Sequence, residues 1–338
     1  MIDLLVAGGG PAGLATAVYG ARAGLDVVVV EQRRGPIDKA CGEGLLPHAV
    51  RLLEGLGAQP EGRTLRGISY TDGTNRVDAP FRCGTGRGVR RTTLHTALFD
   101  AASAAGARIE RGEVGAIHQD TTSVSAGGFR ARYLAAADGL HSPIRRSLGL
   151  EHAGEVRRRW GIRRHIQIAP WTDNVEVHWA PGAEAYVTPV ADDCVGVAIL
   201  TSGRGRFDRH LDQFTVLKER LRGREHGQDR AAGPLRQRVK SRSAGRVLLV
   251  GDAAGYVDAL TGEGIGLAFG GAELLVRCVA NGATADYDRR WRRMSRRYRL
   301  ITAALLGVSG CPQVRSRLVP AATALPGMFA EVVNALGR

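Results

Sequence analysis

An apolar run that breaks into glycine and restarts as a helix constrains this chain more than anything else in it. Ile2 to Ala7 reads as a short buried strand, and the turn Gly8-Gly9-Gly10-Pro11-Ala12-Gly13 follows at once. Gly8, Gly10 and Gly13 stand in GxGxxG spacing, which serves a tight turn, a backbone that can approach a pyrophosphate, and close helix-to-strand packing. Pro11 suits the first turn of a helix. That helix runs from Pro11 to Ala23 and stops at Gly24. A second buried strand, Val27 to Val30, then delivers Glu31 where an acid binds ribose hydroxyls. A glycine-rich turn alone is common, but strand, turn, helix, strand and acid in this order predict a dinucleotide-binding fold.

Downstream, the loop holding Cys41, Gly42, Glu43 and Gly44 has glycines that let backbone approach a flat ligand, and Pro47 to Leu56 has helical spacing. Residues 65 to 81 alternate about Asp72-Gly73 and read as a hairpin, and 88 to 109 as a helix preceded by Arg90 and Arg91. Short strands from Val114 to Leu134 turn at Gly127-Gly128 and end in AAADGLHSPIRRSLG. Between 156 and 200 four alternating runs predict a second, antiparallel sheet. Val247 to Val250 is another buried strand, leading into Gly251-Asp252 and a loop, Thr261 to Gly266, that opens a helix. From Tyr287 an amphipathic helix places Tyr287, Trp291, Met294, Tyr298, Ile301 and Leu305 on one face, with seven arginines between 289 and 299.

The chain of 338 residues carries 47 basic and 33 acidic side chains, a formal charge of +14, and all the basic ones except Lys39, Lys218 and Lys240 are arginine. This balance fits either a composition bias or an anionic partner. No nucleic-acid-binding motif accompanies it, so a specific nucleic acid is not expected. For the basic helix two readings stand: a solvated amphipathic face, or a docking surface for an acidic carrier protein or an anionic membrane. The five cysteines, Cys41, Cys83, Cys194, Cys278 and Cys311, show neither disulfide nor zinc spacing, so no metal is predicted and a reducing compartment fits. With the apolar start broken by Asp3 and glycines and no run of about 20 apolar residues, a cytoplasmic protein is expected.

Three motifs in order, GGGPAG with Glu31, then ADGLHSPIR, then VGDAAGYVDALTGEGIG, resemble the FAD-dependent hydroxylase superfamily typified by para-hydroxybenzoate hydroxylase, which includes the geranylgeranyl reductases. The resemblance spans roughly residues 1 to 275. It implies an α/β protein with a GR2-type Rossmann FAD-binding domain (1–64, 86–151 and 236–280), an inserted antiparallel-sheet substrate domain (65–85 and 152–235) and a C-terminal helical segment (281–338). Gly8, Gly10, Pro11, Ala12 and Gly13 would meet the FAD pyrophosphate; Glu31, Gln32 and Arg33 the adenosine side; Arg91, or else Arg90, the phosphates. Asp138-Gly139 matches a motif tied to FAD and NAD(P)H pyrophosphate. Gly251-Asp252 would meet the ribitol, and Gly262, Gly264, Ile265 and Gly266 the flavin ring, with Cys41-Gly42 nearby.

Departures from the family pattern sort its branches. Where many hydroxylases carry a His after GDAA and a Pro in the following loop, this chain has Gly255 and Leu260-Thr261, so the run is closer to the reductase branch, as is Cys41-Gly42. The reductase YxWxFP pattern is reduced to Tyr186-Val187-Thr188-Pro189, without Trp or Phe. GEGLLP at 42–47 is similar to a flavin-halogenase loop, but WxWxIP is missing. The resemblance implies an NAD(P)H-dependent flavoenzyme. The leading expectation is a monooxygenase acting on an aromatic or polyketide-type molecule through a flavin hydroperoxide; the alternative is reduction of carbon-carbon double bonds in an isoprenoid or other unsaturated substrate. Cys41 and Glu43 are the catalytic candidates, with His48, His178, Tyr186 and Pro189 expected along the substrate pocket.

Overall fold

In the computed structural model, which describes residues 1–152, 158–310 and 312–336, β1 (Ile2–Ala7) lies inside a parallel sheet. Leu4, Leu5 and Val6 have no exposed surface, as a strand covered on both faces requires. β1 pairs in parallel with Phe129–Ala136 on one side and with β2 (Val27–Glu31) on the other; Val247–Leu249 and Arg108–Arg111 extend the parallel run at its two ends. Between β1 and β2 runs α1 (Pro11–Arg22), started by Pro11 and closed at Gly24, whose φ of +76° a side chain would strain. No Cβ fits at Gly13, where it would collide with the carbonyl of Gly8. That missing side chain sets how closely the helix packs on the turn. The helix Gly264–Ala280 lies beside α1 and buries Phe269, Ala272 and Leu275 in the same core.

The second sheet runs in the order Arg230–Ala232, Trp160–Gln167, Cys194–Thr201, Ala183–Ala191, Asn174–Ala180, Gly67–Thr71, Arg76–Pro80. One face packs on the helices Phe207–Leu211 and Thr215–Leu221 through Val187, Val197, Ile199, Phe207 and Leu217. Its other face looks toward the parallel sheet. The strands expected between 156 and 200 pair antiparallel with one another, and the hairpin from 65 to 81 joins them through one parallel pair, Asn174–Ala180 with Gly67–Thr71. The early hairpin enters from a distant part of the chain, so no tight turn forces those two strands to reverse.

Two helix expectations also shift. The helix drawn over 88–109 is Arg91–Ala104; Gly106, at φ +95°, ends it, and Arg108–Arg111 becomes an edge strand beside β2. The helix from Tyr287 breaks at Ser295 into Tyr287–Met294 and Arg296–Ser309. Tyr287, Trp291 and Tyr298 are buried as predicted, whereas Met294 is 38% exposed. Beyond it, Leu318–Ala324 and Pro326–Leu336 cover the Gly67–Pro80 hairpin, with Phe329, Ala330 and Val333 packed on Val77 and Ala79. Cys311 and residues 153–157, at the expected start of the larger inserted segment, lie outside the described residues.

Phe269 has no exposed surface at the centre of the core shared by the parallel sheet and its helices. Phe269→Ala should cost about 3–5 kcal/mol of stability, read as a lower urea midpoint with an unchanged slope.

Candidate active site

Loops at the carboxyl ends of the parallel strands and the inner face of the second sheet enclose a cavity of about 400 Å³. Its loop end is built from the glycine turn, the Cys41 segment, Asp138-Gly139, Gly251-Asp252 and the start of the Gly264–Ala280 helix. Its sheet end is apolar, formed by Ile68, Tyr70, Val175, Val177, Ala198 and Leu200. Alternation explains the division: residues two apart on each strand share a face, so Val175 and Val177 line the cavity while Glu176 and His178 point away.

Of the residues singled out in the sequence, Gly10, Pro11, Ala12, Gln32, Arg33, Cys41, Gly42, Glu43, Arg91, Asp138, Gly139, Gly251, Asp252, Gly262, Gly264, Ile265 and Tyr186 line this one space. Gly8 and Gly13 lie behind it as packing positions. Glu31 stands beside the turn: Oε2 accepts the Gly9 N–H (2.8 Å), and Oε1 accepts the Arg33 N–H (2.9 Å) and pairs with its guanidinium (2.8 Å). Burial pulls the Glu31 pKa up, but the Arg33 and Gly9 donors outweigh it and hold the carboxyl below the ordinary glutamate value. A ribose hydroxyl at Glu31 therefore competes with the Arg33 guanidinium.

Four expected positions fall elsewhere. His48 is turned against the Gly264–Ala280 helix, where it occupies the space a Cβ on Gly266 would need, and so both His48 and Gly266 are outside the lining. Burial, with Arg51 adding to it, lowers the His48 pKa to about 4 and keeps the ring neutral. His178 faces the far side of the sheet beside Glu176 (3.4 Å), and Pro189, next to the lining residue Thr188, has the opposite orientation.

The Cys41 loop is fixed by the side chain that follows it. Glu43, with φ +60° and 2% exposure, accepts the Arg91 N–H at Oε1 (2.8 Å) and meets His165 Nε2 at Oε2 (2.7 Å). His165 Nδ1 lies 3.0 Å from Arg163, whose guanidinium also pairs with Asp38. The Cys41 thiol accepts the Glu43 N–H (3.4 Å), and burial raises its pKa, so sulfur keeps its proton. A second set of charges anchors the loop on the other side of the cavity. Arg159 pairs with Glu184 and Asp258, Arg315 with Glu184 (2.8 Å), Tyr186 donates to the Leu260 carbonyl (2.9 Å) and Tyr298 to that of Asp258 (3.1 Å). Sequence reasoning missed Arg163 and His165. The signal was available: an arginine and a histidine two apart in one strand, between Ile162 and Ile166, share one face.

The residues fit a dinucleotide. Arg91 is buried, and its Nη1 has no hydrogen-bond partner among the described residues, an arrangement that costs several kcal/mol unless an anion is present. At Gly10 nothing lies within 4 Å of a Cβ position, so the turn opens onto free space.

The description FAD binding domain matches residues 1–286. The chain belongs to that FAD-dependent family, typified by para-hydroxybenzoate hydroxylase. Its relatives include a menaquinone reductase of Mycobacterium tuberculosis, 33% identical over 78% of this chain and 72% of the relative. Another is digeranylgeranylglycerophospholipid reductase 1 of Methanothermobacter thermautotrophicus, 28% identical over 88% and 82%. Among solved structures, the flavin-dependent brominase Bmp2 superposes with TM-score 0.82 at 17% identity, covering 99% of this chain and 93% of its own. The flavin-dependent halogenase CmlS gives 0.77 at 21%, over 88% of this chain and 63% of its own. The superpositions show the fold, a Rossmann-type FAD domain with a sheet insertion; the family match and the sequence relatives make the chain an FAD-dependent oxidoreductase.

Arg91→Ala should lower FAD affinity by roughly ten- to a hundredfold, as loss of a charge-assisted hydrogen bond implies, with Arg91→Lys between; flavin absorbance per protein after dialysis measures it. A second expectation concerns Glu263, which precedes the Gly264 helix. Burial pushes its carboxyl up to about 8, with Arg297 opposing. Since the folded value exceeds the reference 4.5, the folded chain keeps a proton that the unfolded chain releases, and stability falls as pH rises from about 4.5 to about 8. The slope is at most about 1.4 kcal/mol per pH unit, and Glu263→Gln should remove it from a series of urea midpoints.

Proposed function

We propose that this protein is an FAD-dependent reductase that adds two hydrogens across a carbon-carbon double bond of an isoprenoid-type substrate, with NAD(P)H as electron donor. The observation that carries the reading is the polarity of the cavity: its sheet end is largely apolar, with Tyr70, Tyr186, Thr188 and Arg163 as its polar exceptions, and most of its charged groups are gathered at the end where the family's flavin belongs. An isoprenoid chain suits such a wall, where a hydroxylated aromatic ring would find few polar partners beyond the hydroxyls of Tyr70, Tyr186 and Thr188. Relatives named as menaquinone and prenyl-lipid reductases support the same choice between the two reactions expected from the sequence.

Bound FAD, once reduced by NAD(P)H, would supply hydride. Within the chain, Arg91 and the glycine turn would bind and orient the phosphates, and Asp252 would hold the ribitol. The apolar strands would exclude water and align the double bond. Cys41 Sγ, kept protonated by burial, is placed to give a proton to the second carbon as the first receives hydride, which balances the addition. Glu43 positions that sulfur through its backbone N–H and is itself held by Arg91 and His165. His48 and His178, outside the cavity, take no part.

Anaerobic protein reduced by dithionite and mixed with a prenylated quinone should yield, once the protein is removed and the ring is reoxidised to the quinone, a product heavier by two hydrogens in its prenyl chain by tandem mass spectrometry. Product heavier by one oxygen, formed only in air, would overturn the reduction and restore hydroxylation. Cys41→Ala should lower turnover by about a hundredfold at unchanged FAD content, the usual scale for losing a positioned acid.

A further inference from the structure

The last fifty residues, 289 to 338, contain ten arginines and one acid, Glu331. They also hold seven of the ten large apolar side chains exposed among the described residues: Met294, Leu300, Val308, Val314, Leu325, Met328 and Val332. On the Arg296–Ser309 helix the two properties share one outer face. Arg296, Arg297, Leu300, Ala303, Ala304, Gly307 and Val308 follow one another at spacings of one and three, and all are exposed. Arg289 and Arg290 are paired with Asp286 and Arg292 with Asp288, whereas Arg293, Arg296 and Arg317 make no salt bridge among the described residues.

We infer that the C-terminal helices form a docking surface for an anionic lipid bilayer, on which the protein lies without spanning it. A bilayer supplies both complements at once, acidic headgroups for the arginines and hydrocarbon for the apolar side chains. An acidic protein answers the charge alone, and a second copy would set two such basic segments against each other. Spanning is opposed by shape, since the apolar stretches Gln313–Ala324 and Pro326–Ala335 meet at 105°. Position adds a reason. On the Pro326–Leu336 helix Val333 lines the cavity while Met328 and Val332 face outward, so this one helix separates the cavity from the docking surface. The docking rests on charge and exposure; delivery of an isoprenoid from the bilayer into the cavity rests in addition on the proposed reaction.

The test is co-sedimentation of the FAD-loaded protein with phosphatidylcholine vesicles, with and without phosphatidylglycerol, which reads binding with no turnover. Binding is expected to the anionic vesicles, and Met328→Glu/Val332→Glu should weaken it at least tenfold with FAD content unchanged. Arg293→Gln/Arg296→Gln should weaken it by about fivefold per charge. Equal sedimentation with both vesicle types would overturn the inference. So would loss only in the arginine pair with the glutamate pair binding as wild type, which is adsorption by net charge. A dimer that Met328→Glu/Val332→Glu dissociates, or retention on an acidic carrier protein without vesicle binding, would assign the surface to those partners instead.

Discussion

Everything near the cavity depends on one carboxylate. Glu43 sits at the junction of the two sheets, and its oxygens are shared between the first N–H of the Arg91–Ala104 helix and the ring of His165 on the second sheet. A buried carboxyl group is stable only when such partners surround it, and removing it would leave the Arg91 N–H and the His165 ring without their buried partner, a loss on the scale of about 1–3 kcal/mol for each. Its backbone adopts φ +60°, unusual for a residue with a side chain, and turns Cys41 toward the cavity. Local strain, sheet-to-sheet contact and presentation of the thiol thus have a common cause.

That junction explains why the cavity is polar at one end only. The parallel sheet presents its loops, which carry the glycine turn, Asp138 and Asp252. The second sheet presents a face whose alternation places Glu176 and His178 on the far side, where Glu176 meets Arg76 and the Trp171 indole (2.8 Å). Burial works against ionisation there, but the donors around Glu176, His178 and Trp171 foremost, hold its carboxyl near pKa 2. The charge is therefore spent on packing the sheet, away from the ligand.

Much of this was readable in the chain. The strand, turn and helix of residues 2–23 were legible because close packing tolerates only glycine at positions such as Gly13, and the strands between Trp160 and Thr201 because short runs rich in Val, Ile and Ala are separated there by Pro and Gly turns. What stayed hidden depends on contacts far apart in sequence. Nothing local indicates that Glu43 meets His165 or that Arg159 meets Glu184 and Asp258. His48 misled for a related reason: a polar residue at a helix start reads as available, but the bare backbone at Gly266 gives it a place to be buried. Strand direction was also out of reach at the Asn174–Ala180 and Gly67–Thr71 pair, because an alternation pattern is the same for parallel and antiparallel neighbours.

The basic composition, ambiguous in the sequence, separates into two populations in the fold. Arg145, Arg159, Arg163 and Arg315 are buried, and each is matched to carboxylates or carbonyls that hold an interior charge in place. Another group, on the Arg296–Ser309 helix, is exposed beside leucine and valine. Arginine serves both uses because its planar fork can satisfy several acceptors inside the protein and also meet phosphate outside it. Exposed arginines without a salt bridge also lie elsewhere among the described residues, Arg204, Arg206 and Arg236 among them; what sets the C-terminal ones apart is the exposed apolar side chains beside them, at the helices that close the cavity.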